Sequence, residues 1–239
     1  MPRFYVELPL VAGSMLDLPE AVVRHVQVLR LREGDELTLF NGGGGEYAAS
    51  LQQLGKKSAS VLLGEFAPVS RESSLNMTLV QAVSSGDRMD YTLQKAVELG
   101  VAVIQPVFSE RSVVKLAGDR ADKRLEHWRG VLIAACEQCG RNTVPELLPL
   151  LPYGKWLASD ASNGLKLVLS PLGTQGLGDL PRQETIHLLA GPEGGLTQQE
   201  EATAIATQWL PLKLGPRILR TETAALAAVA ALQTLWGDF

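Results

Sequence analysis

Leu189-Ala190-Gly191-Pro192-Glu193-Gly194-Gly195-Leu196-Thr197-Gln198-Gln199-Glu200 is the stretch that decides the fold. An apolar run over residues 186–190 leads into it and reads as a buried strand. A Gly-Pro-Glu-Gly-Gly loop follows. Thr197 and Glu200 then stand at the spacing of a capping box, in which each side chain meets the other's backbone N–H, so a helix is predicted to start there. Strand, glycine loop and helix in that order belong to an α/β domain. Glycines beyond the carboxyl end of a strand let a ligand approach the backbone, and in α/β sheets that crevice is the usual ligand position. Taken alone, the loop reads equally well as a tight turn that needs glycine only for its own geometry.

Two more strand ends repeat the pattern. Leu212-Lys213-Leu214-Gly215-Pro216-Arg217-Ile218-Leu219-Arg220-Thr221-Glu222-Thr223 is a strand, a Gly-Pro turn and a helix start with two arginines and a Thr-Glu-Thr cap. An Ala/Leu-rich helix then runs to about Trp236. Leu169-Ser170-Pro171-Leu172-Gly173 is the third such end. Three loops of this kind can line one pocket with backbone N–H and C=O groups. A pocket so lined suits a neutral adenine and ribose better than a triphosphate, which needs lysines.

Further outward, apolar runs at residues 77–82, 101–107, 165–169 and 209–214 alternate with helical spacing at residues 89–99, ending at Gly100, and at residues 124–136. Strands apolar throughout and separated by helices predict a parallel sheet covered on both faces, over residues 75–239. Residues 1–70 have a different texture. A short strand begins at Phe4 and a helix begins at Pro19, with Val22, Val23, Val26 and Leu29 on one face. The β-favouring runs 36–40, 46–51 and 58–63 follow, as in a small barrel. Polar residues 68–76 read as a linker.

The chain has 239 residues, 46% hydrophobic, 20% charged and 5% aromatic, with a net charge of −4 and a pI near 5.5. That composition excludes disorder as the main state and predicts an aliphatic core. No segment is basic overall, so a polyanion would have to meet a spatial cluster; the best linear stretch runs from Arg111 through Lys115, Arg120, Lys123 and Arg124 to Arg129. Nothing resembles a signal peptide or an apolar span of membrane length, and a soluble, cytoplasmic protein without membrane association is expected. His25, His127 and His187 are scattered, so Cys136 and Cys139 lack partners for a zinc site and read as buried thiols; no metal is expected. The run at residues 42–45 lacks the following helix that a phosphate loop requires and predicts a hairpin. There is no Walker lysine pattern, no G-x-G-x-x-G turn and no hydrolase nucleophile elbow. Glu137, Gln138 and Arg141, where a helix ends, read equally as surface capping or as part of a site.

Together these residues resemble the SPOUT methyltransferases, and within them the bacterial ribosomal RNA small subunit methyltransferase E family. The resemblance runs over nearly the whole chain. It includes Pro2-Arg3-Phe4-Tyr5, Gln94-Lys95-Ala96-Val97-Glu98-Leu99-Gly100-Val101, Phe108-Ser109-Glu110-Arg111-Ser112 and Ala135-Cys136-Glu137-Gln138-Cys139-Gly140-Arg141, and it is most specific at residues 191–196 and 214–225. It implies an N-terminal PUA-like β-barrel that helps hold RNA, then a SPOUT-type α/β domain with a C-terminal trefoil knot, an exception to the rule that chains do not thread loops. It also implies a homodimer that uses S-adenosyl-L-methionine to methylate N3 of a uridine of 16S rRNA, at position 1498 in the usual ribosomal numbering, within the small ribosomal subunit.

The expected cofactor residues are Leu169, Ser170, Leu189, Gly191, Pro192, Glu193, Gly194, Gly195, Leu214, Gly215, Ile218, Leu219 and Thr223. Arg220 is expected to stabilise the developing uracil anion, with Glu222 orienting it or taking the N3 proton, and Arg141 with Glu137 as a second candidate pair. Arg3, Arg30, Lys95 and Arg111 are expected to hold RNA phosphates, contacts that position without reading sequence. Two other readings stay open: a non-catalytic RNA-binding or assembly factor, and a doubly wound enzyme with a nucleotide cofactor.

Overall fold

The computed structural model describes residues 1–112 and 118–239. The chain forms two compact units: Met1–Glu72 with Cys136–Val144, and Ser73–Ala135 with Pro145–Phe239. The boundary falls inside the polar linker, but the first unit also takes in a nine-residue segment from the middle of the chain.

The first unit contains β1 (Arg3–Tyr5), β2 (Met15–Asp17), α1 (Glu20–Val28), β3 (Glu36–Phe40), β4 (Glu46–Leu54) and β5 (Ala59–Ala67). They form a sheet in the order β1-β3-β4-β5-β2, in which only the β1–β3 pairing is parallel. Pro19 is the N-cap residue of α1, its fixed φ already suited to the helix that follows, and Val22, Val23 and Val26 bury the predicted stripe. They pack on Leu37, Leu39, Leu51, Val61 and Leu63 from the inner face of the sheet. The four-glycine run is the β3–β4 hairpin, pairing Leu39 with Tyr47. The short edge strand β2 has no counterpart in the sequence reading, because its three residues form a strand only by pairing with β5.

The second unit contains β6 (Asn76–Ala82), α2 (Gly86–Glu98), β7 (Val103–Phe108), α3 (Asp119–Cys139), β8 (Glu146–Leu147), β9 (Leu151–Pro152), α4 (Tyr153–Ser159), β10 (Leu165–Leu169), β11 (Thr185–Ala190), α5 (Gln198–Ala206), β12 (Leu210–Leu212) and α6 (Thr221–Trp236). The last turn of α3 belongs to the first unit. The sheet runs β12-β10-β11-β6-β7-β8, with β9 also on β7, and every pairing is parallel. The apolar strands are therefore central and covered on both faces: Leu79, Ile104, Leu167 and Leu188 have no exposed surface. Burying each such side chain contributes about 1.5–3 kcal/mol. Helix α2 begins three residues before the predicted stripe and ends as expected, with Gly100 at φ +83°. Helix α4 was not visible in the sequence. It is only seven residues long and is held by Tyr153, Trp156 and Leu157 packing around Trp209.

Strands β10, β11 and β12 are adjacent and parallel, so their carboxyl ends, and the three glycine-bearing loops beyond them, emerge side by side. That register brings together what the sequence separates by some forty residues.

Candidate active site

The three strand-end loops enclose a cleft of about 360 Å³, within the range of small-molecule sites. Leu169 and Ser170 contribute to its wall after β10. Residues 191–196 do so after β11, and Leu214, Gly215, Ile218 and Leu219 after β12. Leu189 and Thr223, the other two expected cofactor residues, stand outside the lining. Leu189 turns into the core cluster of Val168 and Trp209, and Thr223 lies exposed on α6. Arg111, expected to hold phosphate, lines the cleft from the loop after β7, and its Nη1 donates to the Gly194 carbonyl at 2.8 Å. The lining also includes Lys213, Arg217, Gln198 and Glu201, which the sequence reading did not single out.

The Gly191–Leu196 turn closes on itself. A Cβ at Gly191 would lie 2.9 Å from the Leu196 nitrogen, against backbone that cannot step aside. The loop is also tethered from outside. Thr221 Oγ1 donates to the Gly191 carbonyl. Ser85 donates to Glu193 Oε1 from its backbone nitrogen at 2.7 Å and its hydroxyl at 2.6 Å, and Arg88 Nη1 lies 3.3 Å away. Burial raises the Glu193 pKa, but the two Ser85 donors and Arg88 more than offset it and hold the carboxyl below its ordinary range. The predicted capping box is formed: Thr197 accepts from the Glu200 nitrogen, and Glu200 Oε2 accepts from the Thr197 nitrogen. The other oxygen of Glu200 accepts from the Glu110 nitrogen at 2.8 Å, which fastens the loop after β7 to the start of α5.

At the start of α6 the Thr-Glu-Thr sequence does not cap the helix as expected. Arg220 is the N-cap residue and makes no side-chain cap bond, and Thr221 turns its hydroxyl to Gly191 instead. Arg220 is exposed and, among the described residues, makes no ion pair. Glu222 Oε2 is buried without a hydrogen-bond partner among them. Both flank cleft-lining residues, Leu219 and Thr221.

The remaining expected residues lie elsewhere. In the first unit, Arg141 is 4% exposed, and its Nε and Nη2 both donate to Glu72 Oε2. Glu137 accepts from the Tyr5 nitrogen at 2.9 Å, and burial raises its pKa despite Tyr5, His25 and Arg3. Arg3 donates to Glu46, to Asn142 and to the Gly140 carbonyl. Together these bonds fasten the 136–144 segment to the sheet. Arg30 is exposed, in the left-handed region at φ +57° where α1 stops. In the second unit, Lys95 pairs with Glu98 at 2.7 Å. Lys115 falls outside the described residues. Cys136 is buried, which pushes its thiol up to about 12, and Cys139 is partly exposed; both are free. Among the described residues no group of three potential metal ligands occurs and no helix is long and apolar enough to cross a membrane.

The cleft fits an adenosine-type ligand. It combines Leu169, Leu172, Leu214 and Ile218 with a closely folded glycine backbone, and its charged rim is mixed, with Arg111, Lys213 and Arg217 against Glu193 and Glu201.

The chain is similar to known RNA methyltransferases along its length. A family model described as an RNA methyltransferase domain matches residues 71–233, and one described as an RNA methyltransferase PUA domain matches residues 18–63. A ribosomal RNA small subunit methyltransferase E from Buchnera aphidicola (subsp. Schizaphis graminum) is 34% identical over all of this chain and 98% of its own. The crystal structure of a ribosomal RNA small subunit methyltransferase E from Neisseria gonorrhoeae bound to S-adenosylmethionine is 50% identical with a TM-score of 0.95, covering 100% of this chain and 99% of that one. A methyltransferase structure from Legionella pneumophila with bound S-adenosylmethionine is 40% identical with a TM-score of 0.96, covering 99% and 98%.

Proposed function

The chain belongs to the ribosomal RNA small subunit methyltransferase E family, and on that premise we propose that it methylates N3 of a uridine in 16S rRNA, at position 1498 of the usual numbering, with S-adenosylmethionine held in the three-loop cleft. The observation that carries the proposal is the cleft itself, lined by backbone of residues 191–196 and by Leu169, Leu214 and Ile218. When bound there, the cofactor supplies an electrophilic methyl group on a sulfonium.

The chain's own residues must bring a uracil N3 to that methyl without its proton. The neutral imide nitrogen is a poor nucleophile, so charge near O2 or O4 has to stabilise the anion as it forms. That role falls to Arg220, which is exposed at the head of α6, beside the cleft, and meets no carboxylate among the described residues. Glu222 is assigned the N3 proton, with its buried Oε2, which has no hydrogen-bond partner among the described residues, as the acceptor. Because N3 lies on the pairing edge, the uridine must be unpaired or flipped out.

Arg30 and Arg111 are the cations assigned to RNA phosphates. Arg3 and Lys95 would first have to exchange their carboxylate partners, Glu46 and Glu98. A homodimer is part of the proposal: Tyr91 on α2 and Leu235 on α6 are each half exposed on helices that pack together. So are the threading of the C-terminal segment as a knot, the small-subunit context and a cytoplasmic location.

The test is reverse transcription along 16S rRNA after incubating unmodified small subunits with the protein and S-adenosylmethionine. A cofactor-dependent stop at one uridine is expected, since the methyl blocks pairing, and Arg220→Ala should abolish it while cofactor binding persists. Cofactor binding with no stop on subunits or naked rRNA would leave a silent RNA-binding protein. Full turnover by Arg220→Ala would remove Arg220 from its role.

A further inference from the structure

Glu193 sits in the middle of the cofactor loop, yet one of its carboxylate oxygens is turned to α2, while the other, Oε2, is buried without a hydrogen-bond partner among the described residues. Oε1 accepts both donors of Ser85, at 2.7 and 2.6 Å, and lies 3.3 Å from Arg88 in the first turn of that helix. Ser85 is the N-cap residue of α2 and makes no side-chain cap bond of its own. Its hydroxyl donates to Glu193 and accepts no bond from the helix backbone, unlike the usual N-cap arrangement. The carboxylate in turn meets the positive end of the helix dipole. The topology makes this possible. Gln81 and Ala190 are register partners at the ends of the adjacent strands β6 and β11, so the segments leaving them run side by side. Ser85 and Arg88 are not part of the cleft lining.

We propose that Glu193 is a positioning residue: through Ser85 it latches the cofactor loop to the head of α2, and cofactor affinity depends on that latch while the methyl-transfer step does not. The inference rests on the reading of the cleft as an S-adenosylmethionine site. Three of the six residues from Gly191 to Leu196 are glycine, and an unlatched loop of that composition loses more conformational freedom when a ligand orders it. Binding lost in this way is lost equally from ground and transition states, so it appears in the dissociation constant and KM for the cofactor and not in kcat.

The test is calorimetric titration of the full chain with S-adenosylmethionine, without RNA, in the wild type and in Glu193→Gln, Ser85→Ala and Ser85→Thr. Glu193→Gln is expected to weaken binding about tenfold, a change that corresponds to about 1.4 kcal/mol. Ser85→Ala should weaken it by a similar factor, Ser85→Thr should keep wild-type affinity, and the double variant should be no weaker than the worse single one. At saturating cofactor, kcat of Ser85→Ala, whose side chain lies outside the cleft lining, should stay within about twofold. Ser85→Ala removes one hydroxyl only, so it keeps the test independent of any folding defect in Glu193→Gln. Equal affinities in the wild type and both weakening variants would overturn the latch alone. A fall in kcat at unchanged affinity would overturn it too, by making Glu193 a catalytic residue. A wild-type chain that does not bind S-adenosylmethionine would overturn the reading of the cleft itself.

Discussion

Thr221 Oγ1 donates to the Gly191 carbonyl at 2.5 Å, joining the first turn of the last helix to the loop that follows β11. Gln81, fully buried at the end of β6, places its Nε2 within 3.4 Å of the same carbonyl and 3.3 Å of the same hydroxyl. The three residues come from positions far apart in the chain and hold one corner of the cleft. Thr221→Ala leaves the Gly191 carbonyl with the longer Gln81 contact only. It is expected to weaken S-adenosylmethionine binding about three- to tenfold, since one such bond is worth about 1 kcal/mol. Thr221→Ser keeps the hydroxyl and should bind as the wild type does, as a titration would show.

Gly191→Ala should be more severe. The added methyl meets the Leu196 nitrogen at 2.9 Å and the Gly195 carbonyl carbon at 3.1 Å, so the turn must open. A stability loss of about 1–3 kcal/mol is expected from the overpacking, together with loss of cofactor binding. Thermal melts and titrations on the same sample would separate the two effects.

Two neighbouring glycines of the β3–β4 hairpin should differ sharply. Gly45 has φ +69°, and a Cβ there would fall 2.3 Å from the Phe66 ring and 2.8 Å from the Ala67 carbonyl oxygen. Gly44 has φ +84° with nothing within 4 Å. Gly44→Ala therefore carries only the backbone cost, about 1–2 kcal/mol. Gly45→Ala adds the clash, about 1–3 kcal/mol more. Denaturant melts of the two variants should show that order.

Acid should loosen the first unit through Glu46. Burial raises its pKa, but Arg3, Asn142 and Arg71 together pull it below the ordinary 4.5. A depressed carboxyl stabilises the fold above its unfolded pKa, and that contribution fades as pH falls through the folded value. Glu46→Gln is thus expected to melt a few degrees lower than the wild type at about pH 6–8, with the gap closing below pH 4.5. Glu137 carries the opposite sign: its raised pKa favours the fold on the acid side and penalises it as pH rises through the folded value. Melting curves of Glu46→Gln and Glu137→Gln against pH would resolve the two.

Much of the architecture was legible because periodicity reports burial. The apolar runs became the parallel strands, and Thr197 with Glu200 marked the start of α5, since a capping box needs only residues three apart. Elements that escaped the reading are those whose cause is not local. Met15–Asp17 is a strand because β5 pairs with it. Tyr153–Ser159 is a helix because Trp156 packs against Trp209. The same division runs through the site. Glycine loops after strands announced a cleft, but their number and residue types could not reveal that Leu189 faces the core, that Arg111 faces the cleft, or that Arg141 is bound to Glu72.

By itself, the order of residues determined the strand-loop-helix units, the change of texture between residues 70 and 75 and the family to which the chain belongs. Those rest on interactions between residues a few positions apart, and on motifs that tolerate little change. Only the tertiary structure decided which side chains the loops hold in reserve and which they spend on one another. Strand register sets that outcome. Parallel pairing of β6, β11, β10 and β12 brings Ser85 beside Glu193 and Thr221 beside Gly191, and no local pattern records which distant donor a carboxylate or a carbonyl will find.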